Sequence, residues 1–221
     1  MILVKPSFLI LSIMHVDNDG SGTDALKLIE LAGRTCYKSE DRITEDSSIK
    51  FVEKINDLGH ESVLEHSAMT VKFICDRGVS HELVRHRLCS FSQESTRYCN
   101  YKSEVTFVIP PWLDLPEGEV KYGSIKRPSK NHEDLWVFTM EECENTYIQL
   151  LNNGWSPQQA RSVLSNSLKT EIVVTTNFRE WKHIFKLRTS KATHPQMREI
   201  MIPLLNECKK LIPVIFDNIK Y

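Results

Sequence analysis

The chain has 221 residues, 41% apolar and 26% charged, with a formal net charge of −1. That length buries roughly 70–75% of the unfolded surface, so folding needs no disulfide or metal staple. The near-zero charge excludes a whole-molecule attraction to a nucleic-acid backbone, so any anion bound must be held by a local arginine cluster.

Six cysteines are dispersed without a C-x-x-C pair. They read as reduced thiols in a cytoplasmic protein, mostly acting as small buried hydrophobes. No run of about 18 uncharged apolar residues is present, so no membrane span is expected.

The apolar N-terminal stretch carries Lys5 and Pro6 and lacks a basic leader and cleavage site. It reads as a first strand from about Ser7 to Val16 and not as a signal peptide. Asp17–Gly22 is turn chemistry. A helix with Leu26, Ile29, Glu30 and Ala32 follows and is expected to stop at Gly33. A second helix is predicted from about Asp46 to Leu58, with Ile49, Val52 and Ile55 on its apolar face and Gly59 after it. The near-alternation across His66–Cys75 reads as a buried strand.

Gly78-Val79-Ser80 opens a short helix expected to end near Leu88. Residues 104–109 read as a strand halted by Pro110-Pro111, and 116–131 as a loop. A long helix covers about Glu133–Asn152, with Gly154 as its stop. Ser156-Pro157-Gln158-Gln159 has the form of a capping box. A strand from about Glu171 to Thr176 leads to Asn177, a helix cap. The last third is helix from near Pro195, with bends expected at Pro203 and Pro213. The interleaving has no regular βαβ period and no Gly-rich dinucleotide turn. The expected fold is α+β: a single domain over 1–221 with a central, mostly antiparallel sheet flanked by helices and a helical C-terminal third.

His81-Glu82-Leu83-Val84-Arg85-His86 imitates a zinc-protease helix, but its histidines are five apart. On a helix that spacing separates them by about 140°, too far for one metal; no metal site is expected. The following stretch is more informative. From Arg85 to Tyr98 it contains Arg85, His86, Arg87, Gln93, Glu94, Ser95, Thr96 and Arg97. Guanidinium forks and hydroxyls of this kind make a phosphate cradle, and a solvated polar loop is the plainer alternative. A second anomaly lies on the helix after Asn177, where Arg188 falls on the apolar stripe of Trp181, Ile184 and Phe185. An arginine there either meets an anion or ligand oxygen or extends its head past the helix end; the residues leave both open. Neither Ser95 nor a cysteine lies in a nucleophile signature.

Arg-His-Arg, seven residues, then Ser followed by Arg-Tyr resembles the signature of the flavin-dependent thymidylate synthases. His60–His66 resembles that family's upstream histidine–glutamate segment, and Arg161, Asn177, Arg179 and Arg188 match its downstream positions in order. The resemblance, which runs from about residue 25 to 205, implies a homotetramer that binds FAD and dUMP. It implies flavin contacts from Ser62, Arg85, His86, Arg87, Gln93, Asn177, Arg179 and His183. It gives dUMP to Glu82, Leu83, Val84 and Arg85, to Gln93, Glu94, Ser95, Thr96 and Arg97, and to Arg161 and Arg188. Arg188 is implied to promote ionisation of the uracil ring nitrogen. The implied reaction is reductive methylation of dUMP to dTMP, with methylenetetrahydrofolate as carbon donor, FAD reduced by NADPH, and no covalent enzyme thiolate. Three positions depart from many members: Gln93 for glutamate, His183 for asparagine and Glu82 for glutamine. A phosphate- or RNA-binding module without redox chemistry, and a flavoprotein that has lost synthase activity, are the competing readings.

Overall fold

Alternation of buried and half-exposed residues defines the strands in the computed structural model, which describes residues 1–14, 23–121, 123 and 131–221. Strand β3 (Ala68–Asp76) buries Met69, Val71, Phe73 and Cys75, and β7 (Lys169–Asn177) buries Thr170, Ile172, Val174 and Thr176. Such a period of two gives each strand one inward face. The predicted first strand is two, β1 (Ile2–Val4) and β2 (Ser7–Ile13). Pro6, with no N–H to give a ladder, lies between them. The end of the expected strand and the turn at 17–22 lie outside the described residues, as do 122 and 124–130 of the expected loop.

Completing the strands are β4 (Ser90–Gln93), β5 (Thr106–Val108) and β6 (Gly118–Glu119). The α+β expectation holds, with the strands in two sheets, ordered β5-β1-β6 and β2-β3-β7-β4. In the smaller one β1 runs parallel to β5 and antiparallel to β6. In the larger, the Met14 N–H donates to Ala68 O at 2.8 Å. Phe178 N–H donates to Ser67 O and Arg77 N–H to Asn166 O, each at 2.9 Å. N-terminal residues of one strand therefore meet C-terminal residues of its neighbour, the antiparallel arrangement.

Helix α1 (Thr23–Thr35) does not stop at Gly33. A side chain there would come within 2.7 Å of the Phe51 ring, so this glycine serves close helix packing and not termination. The ring belongs to α2 (Ser47–Asp57), whose inward face carries Val52 and Ile55 while Ile49 is exposed. Helix α3 (Arg77–Leu83) ends five residues earlier than expected. The chain then turns through Leu88, whose φ of 62° lies in the left-handed region, a strained choice for a residue with a Cβ. Helix α4 (His132–Asn152) is capped by Asn131 and followed by Gly154 at φ 89°. In α5 (Pro157–Ala160) Gln159 Oε1 accepts from the Ser156 N–H at 2.9 Å. Helix α6 (Phe178–Arg188) begins as expected, with Asn177 Oδ1 accepting from Glu180 N–H at 2.9 Å. Helix α7 (Pro195–Leu211) continues through Pro203, while Pro213 opens a separate helix, α8 (Pro213–Phe216). Proline at a first helical position needs no N–H, which explains the second outcome.

The chain forms two compact units, each made of non-consecutive segments. The first comprises Met1–Ser7, Phe73–Arg85 and Ser92–Ile172; the second comprises Phe8–Lys72, His86–Phe91 and Val173–Tyr221. The first has its core in Leu3, Val105, Phe107, Val137, Met140, Tyr147 and Leu168. In the second, Trp181 stacks on Phe185 at 5.6 Å, and Phe216 meets both Phe178 and Phe185 edge-on.

Candidate functional site

In the first unit, β4 and the turn after it carry the serine–arginine end of the strip. Ser95 is half-buried, Thr96 buried and Arg97 exposed. Ser95 Oγ accepts from Arg97 N–H at 3.3 Å, and the Arg97 guanidinium lies 5.3 Å from the Tyr98 ring centre. Arg161, in the 3-10 turn after α5, donates to Thr96 Oγ1 at 3.1 Å. Sixty-five positions of sequence are thereby closed into one cluster of two arginines and two hydroxyls.

Its neighbours are occupied otherwise. Glu94, given to dUMP by the family resemblance, accepts from Tyr101 Oη at 2.8 Å and pairs with Lys169 Nζ at 3.1 Å. Burial first, then Glu94, raises the Tyr101 pKa above its ordinary value, so the phenol stays a donor. Gln93 Nε2 donates to Ser80 Oγ at 2.9 Å and Thr170 Oγ1 at 3.2 Å. A glutamine amide can donate to both hydroxyls, where a glutamate could only accept from them. Leu83 is in the core, Glu82 is half-buried, and Val84 and Arg85 are exposed.

In the second unit, His86 is 8% exposed. It lies beyond the end of α3, so the zinc-protease resemblance fails on geometry as well as spacing. Arg188, at the end of α6, donates from Nε to His86 Nε2 at 2.9 Å. This partner is a ring nitrogen, neither the anion or ligand oxygen nor the free extension past the helix end that the sequence left open. Burial first, then the Arg188 and His183 charges, pushes the His86 pKa down to about 4 from 6.5. The unfolded chain therefore takes up a proton that the folded ring refuses, and stability falls as pH drops below 6.5 towards 4. Thermal denaturation of the apoprotein across that range, compared with His86→Gln, is expected to show this slope in the wild type and its loss in the variant.

Ligand atoms of His86, Glu180 and His183 all lie within 4.8 Å of one another, a spacing a metal could use. Because His86 Nε2 accepts from a guanidinium, however, the ring proton is on Nδ1, which has no lone pair for a cation. Arg87 is exposed, and Arg179, also exposed, is paired with Glu65. Burial raises the Cys89 pKa and pushes that of Cys208 up to about 12; neither is an activated thiol.

Ser62, on the 3-10 turn Glu61–His66, lines a cleft of about 960 Å3 against α1 and α2. Arg34, Arg42, Lys50, Lys54, Tyr37 and Phe51 also line it, and among the described residues no carboxylate does. Arg34 pairs with Glu30 at 2.6 Å and lies over Phe51. This basic cleft was missed in the sequence because its cations come from two helices and a turn and form no run. Glu180 was missed too, although its three-residue spacing from His183 places both on neighbouring turns of α6.

The family model described as thymidylate synthase complementing protein matches residues 20–214. The chain belongs to the flavin-dependent thymidylate synthase family. A family member from Geobacter sulfurreducens is 32% identical over 86% of this chain and 80% of its own. One from Pyrococcus furiosus is 36% identical over 83% and 71%. A probable member from Mycobacterium phage D29 is 32% identical over 93% and 88%. The α+β fold is shared with PolB from Streptomyces cacaoi, a UMP/dUMP methylase solved with 5-Br dUMP. Its TM-score is 0.74 at 21% identity, covering 98% of this chain and 96% of that one.

Proposed function

We propose that this protein converts dUMP to dTMP by reductive methylation, with methylenetetrahydrofolate as carbon donor and FAD, reduced by NADPH, as cofactor. The carrying observation is that both downstream arginines reach the signature strip: Arg161 bonds Thr96 in one unit and Arg188 bonds His86 in the other. Arg97, Arg161, Ser95 and Thr96 hold the dUMP phosphate, a use that suits guanidinium forks beside hydroxyls. Arg188 places its charge at the pyrimidine ring, where negative charge develops.

The residues fit FAD. Arg42, Lys50 and Lys54 on the cleft wall have no ion pair among the described residues, and cations with Tyr37 and Phe51 match a pyrophosphate joined to flat rings. Ser62, Arg85, His86, Arg87, Gln93, Asn177, Arg179 and His183 complete the assigned contacts. Bound there and reduced by NADPH, FAD would supply the hydride for the reductive methylation. The chain's own part is orientation and fixed charge, which agrees with the raised pKa values of Cys89 and Cys208.

We read residues 1–221 as one functional domain, because neither unit is a continuous stretch of chain. The reading includes a cytoplasmic setting, in keeping with six free thiols. Among the described residues no helix is long and apolar enough to cross a membrane. It also includes a homotetramer, supported by Leu9 and Leu11, which are 60% and 48% exposed on the edge strand β2. Leu9→Glu with Leu11→Glu is expected to lower the assembly mass in light scattering; an unchanged mass would remove β2 from the interface.

The purified protein should be yellow, bleach with NADPH without oxygen, and form dTMP once methylenetetrahydrofolate is added. A colourless protein that binds RNA with steep salt dependence would instead favour a phosphate-binding module. Ser95→Ala should keep measurable turnover, with KM for dUMP raised about 2- to 10-fold, the effect of one lost neutral hydrogen bond. Complete inactivity in a folded, flavin-loaded variant would make Ser95 a nucleophile.

A further inference from the structure

We infer that Glu180 is a positioning residue for Arg188, acting through His86. Arg188 Nε donates to His86 Nε2 at 2.9 Å, and a guanidinium nitrogen in that role can only donate. The neutral imidazole therefore carries its proton on Nδ1. That atom lies 3.7 Å from Glu180 Oε1, too long for a hydrogen bond but close enough for the carboxylate to stabilise the N–H dipole at a buried ring. The backbone of Glu180 is fixed at the start of α6, where its N–H donates to the Asn177 cap.

Glu180 and Arg188 are eight residues apart on α6, a rise of about 12 Å. His86, from a different segment, bridges them with one ring nitrogen towards each. The other neutral tautomer would set an N–H against the Arg188 N–H and a lone pair against the carboxylate, so it is disfavoured at both ends. With 8% exposure, His86 has little water to relieve either conflict. The edge-on His183 ring, 6.2 Å away, closes the third side. An arginine at a helix end has four flexible side-chain torsions, and this one bond restricts the plane in which its charge is offered. Only the catalytic consequence rests on the reading that Arg188 acts on the pyrimidine; the tautomer does not.

The test compares Glu180→Ala and Glu180→Gln with wild type in three measurements: flavin content, steady-state kinetics with dUMP, and 15N NMR of the His86 ring in the resting flavoprotein. Glu180→Ala is expected to keep flavin, convert a pure Nδ1–H ring signature to a mixed one, and lower kcat about 10- to 100-fold, the usual cost of losing a histidine's orienting partner. Glu180→Gln, whose amide oxygen can still accept, should recover most of both. An unchanged ring signature in the alanine variant would overturn the proposal. A mixed signature with unchanged kcat would overturn it at the Arg188 step, and Arg188→Ala then shows separately whether that arginine serves turnover at all. Zinc uptake by the wild type that Glu180→Ala abolishes would overturn it in favour of a His86–Glu180–His183 metal site.

Discussion

Arg188→Ala is expected to leave the protein folded and yellow while lowering kcat roughly 100- to 1,000-fold, the cost of removing one preorganised charge from a developing anion. The arginine is half-buried at the end of α6 and is held from Nε by His86. It does not line the basic cleft assigned to FAD, so flavin content should change little. The fall belongs in kcat more than in KM, because the charge is needed most when the ring ionises. Arg188→Lys should rescue poorly: an ammonium is a point charge without the planar fork that presents one edge to His86 and another elsewhere. Flavin absorbance, dUMP binding and single-turnover formation of dTMP measure these effects separately. A variant that lost flavin and kept dUMP affinity would reverse the assignment.

The parts of this picture legible in the sequence are those whose physics is local. Asn177 could be named as a cap because capping depends on residue type and three neighbours. Strand β3 showed its period of two, and Gly154 marked the end of α4 in the same way. Arg188 could be singled out because it broke an apolar stripe, but the stripe said nothing of what it meets; His86 is 102 positions away. Gly33 was misread because a helix-ending glycine and a close-packing glycine look alike until the partner ring, Phe51, is known. Glu94 stands in the strip close to Arg97, but its partner is Lys169, 75 positions on and brought to it by the β4–β7 pairing. The family signature supplied the assignment of ligands to residues, which no periodicity contained. The fold then added partners that spacing could not supply: Thr96 for Arg161, Glu180 for His86, and cations from α1 and α2 for Ser62.

The second large effect concerns the support beneath the site and is expected in Glu61→Ala. Lys182 on α6 is 1% exposed, and its Nζ is paired with Glu61 Oε1 at 2.6 Å and with Asn56 Oδ1. Asn56 in turn donates from Nδ2 to Val214 O at 2.9 Å, so one cation ties α2, α6, α8 and the Glu61–His66 turn together. Removing the carboxylate leaves a buried charge with only an amide for company, a loss of about 3 kcal/mol at the lower end for such pairs, since Glu61 retains some exposure. In a chain of this size that corresponds to about 6–12 °C in Tm at fixed protein concentration. Burial alone would raise the Glu61 pKa, but Lys182 and then Lys186 outweigh it and hold the carboxyl below 4.5. Its stabilisation is therefore fully present above pH 4.5 and lost as pH falls through the lowered folded value. The gap between wild type and Glu61→Ala should accordingly close in acid. The double variant Glu61→Leu with Lys182→Met should regain most of the lost Tm, because a matched apolar pair carries no desolvation penalty. If Glu61→Ala melted with the wild type at pH 7, the ammonium would be satisfied by Asn56 alone. Because the turn bearing Glu61 also bears Ser62, the same variant should weaken FAD retention more than Arg188→Ala does, which separates the scaffold of the cleft from the charge that serves the pyrimidine.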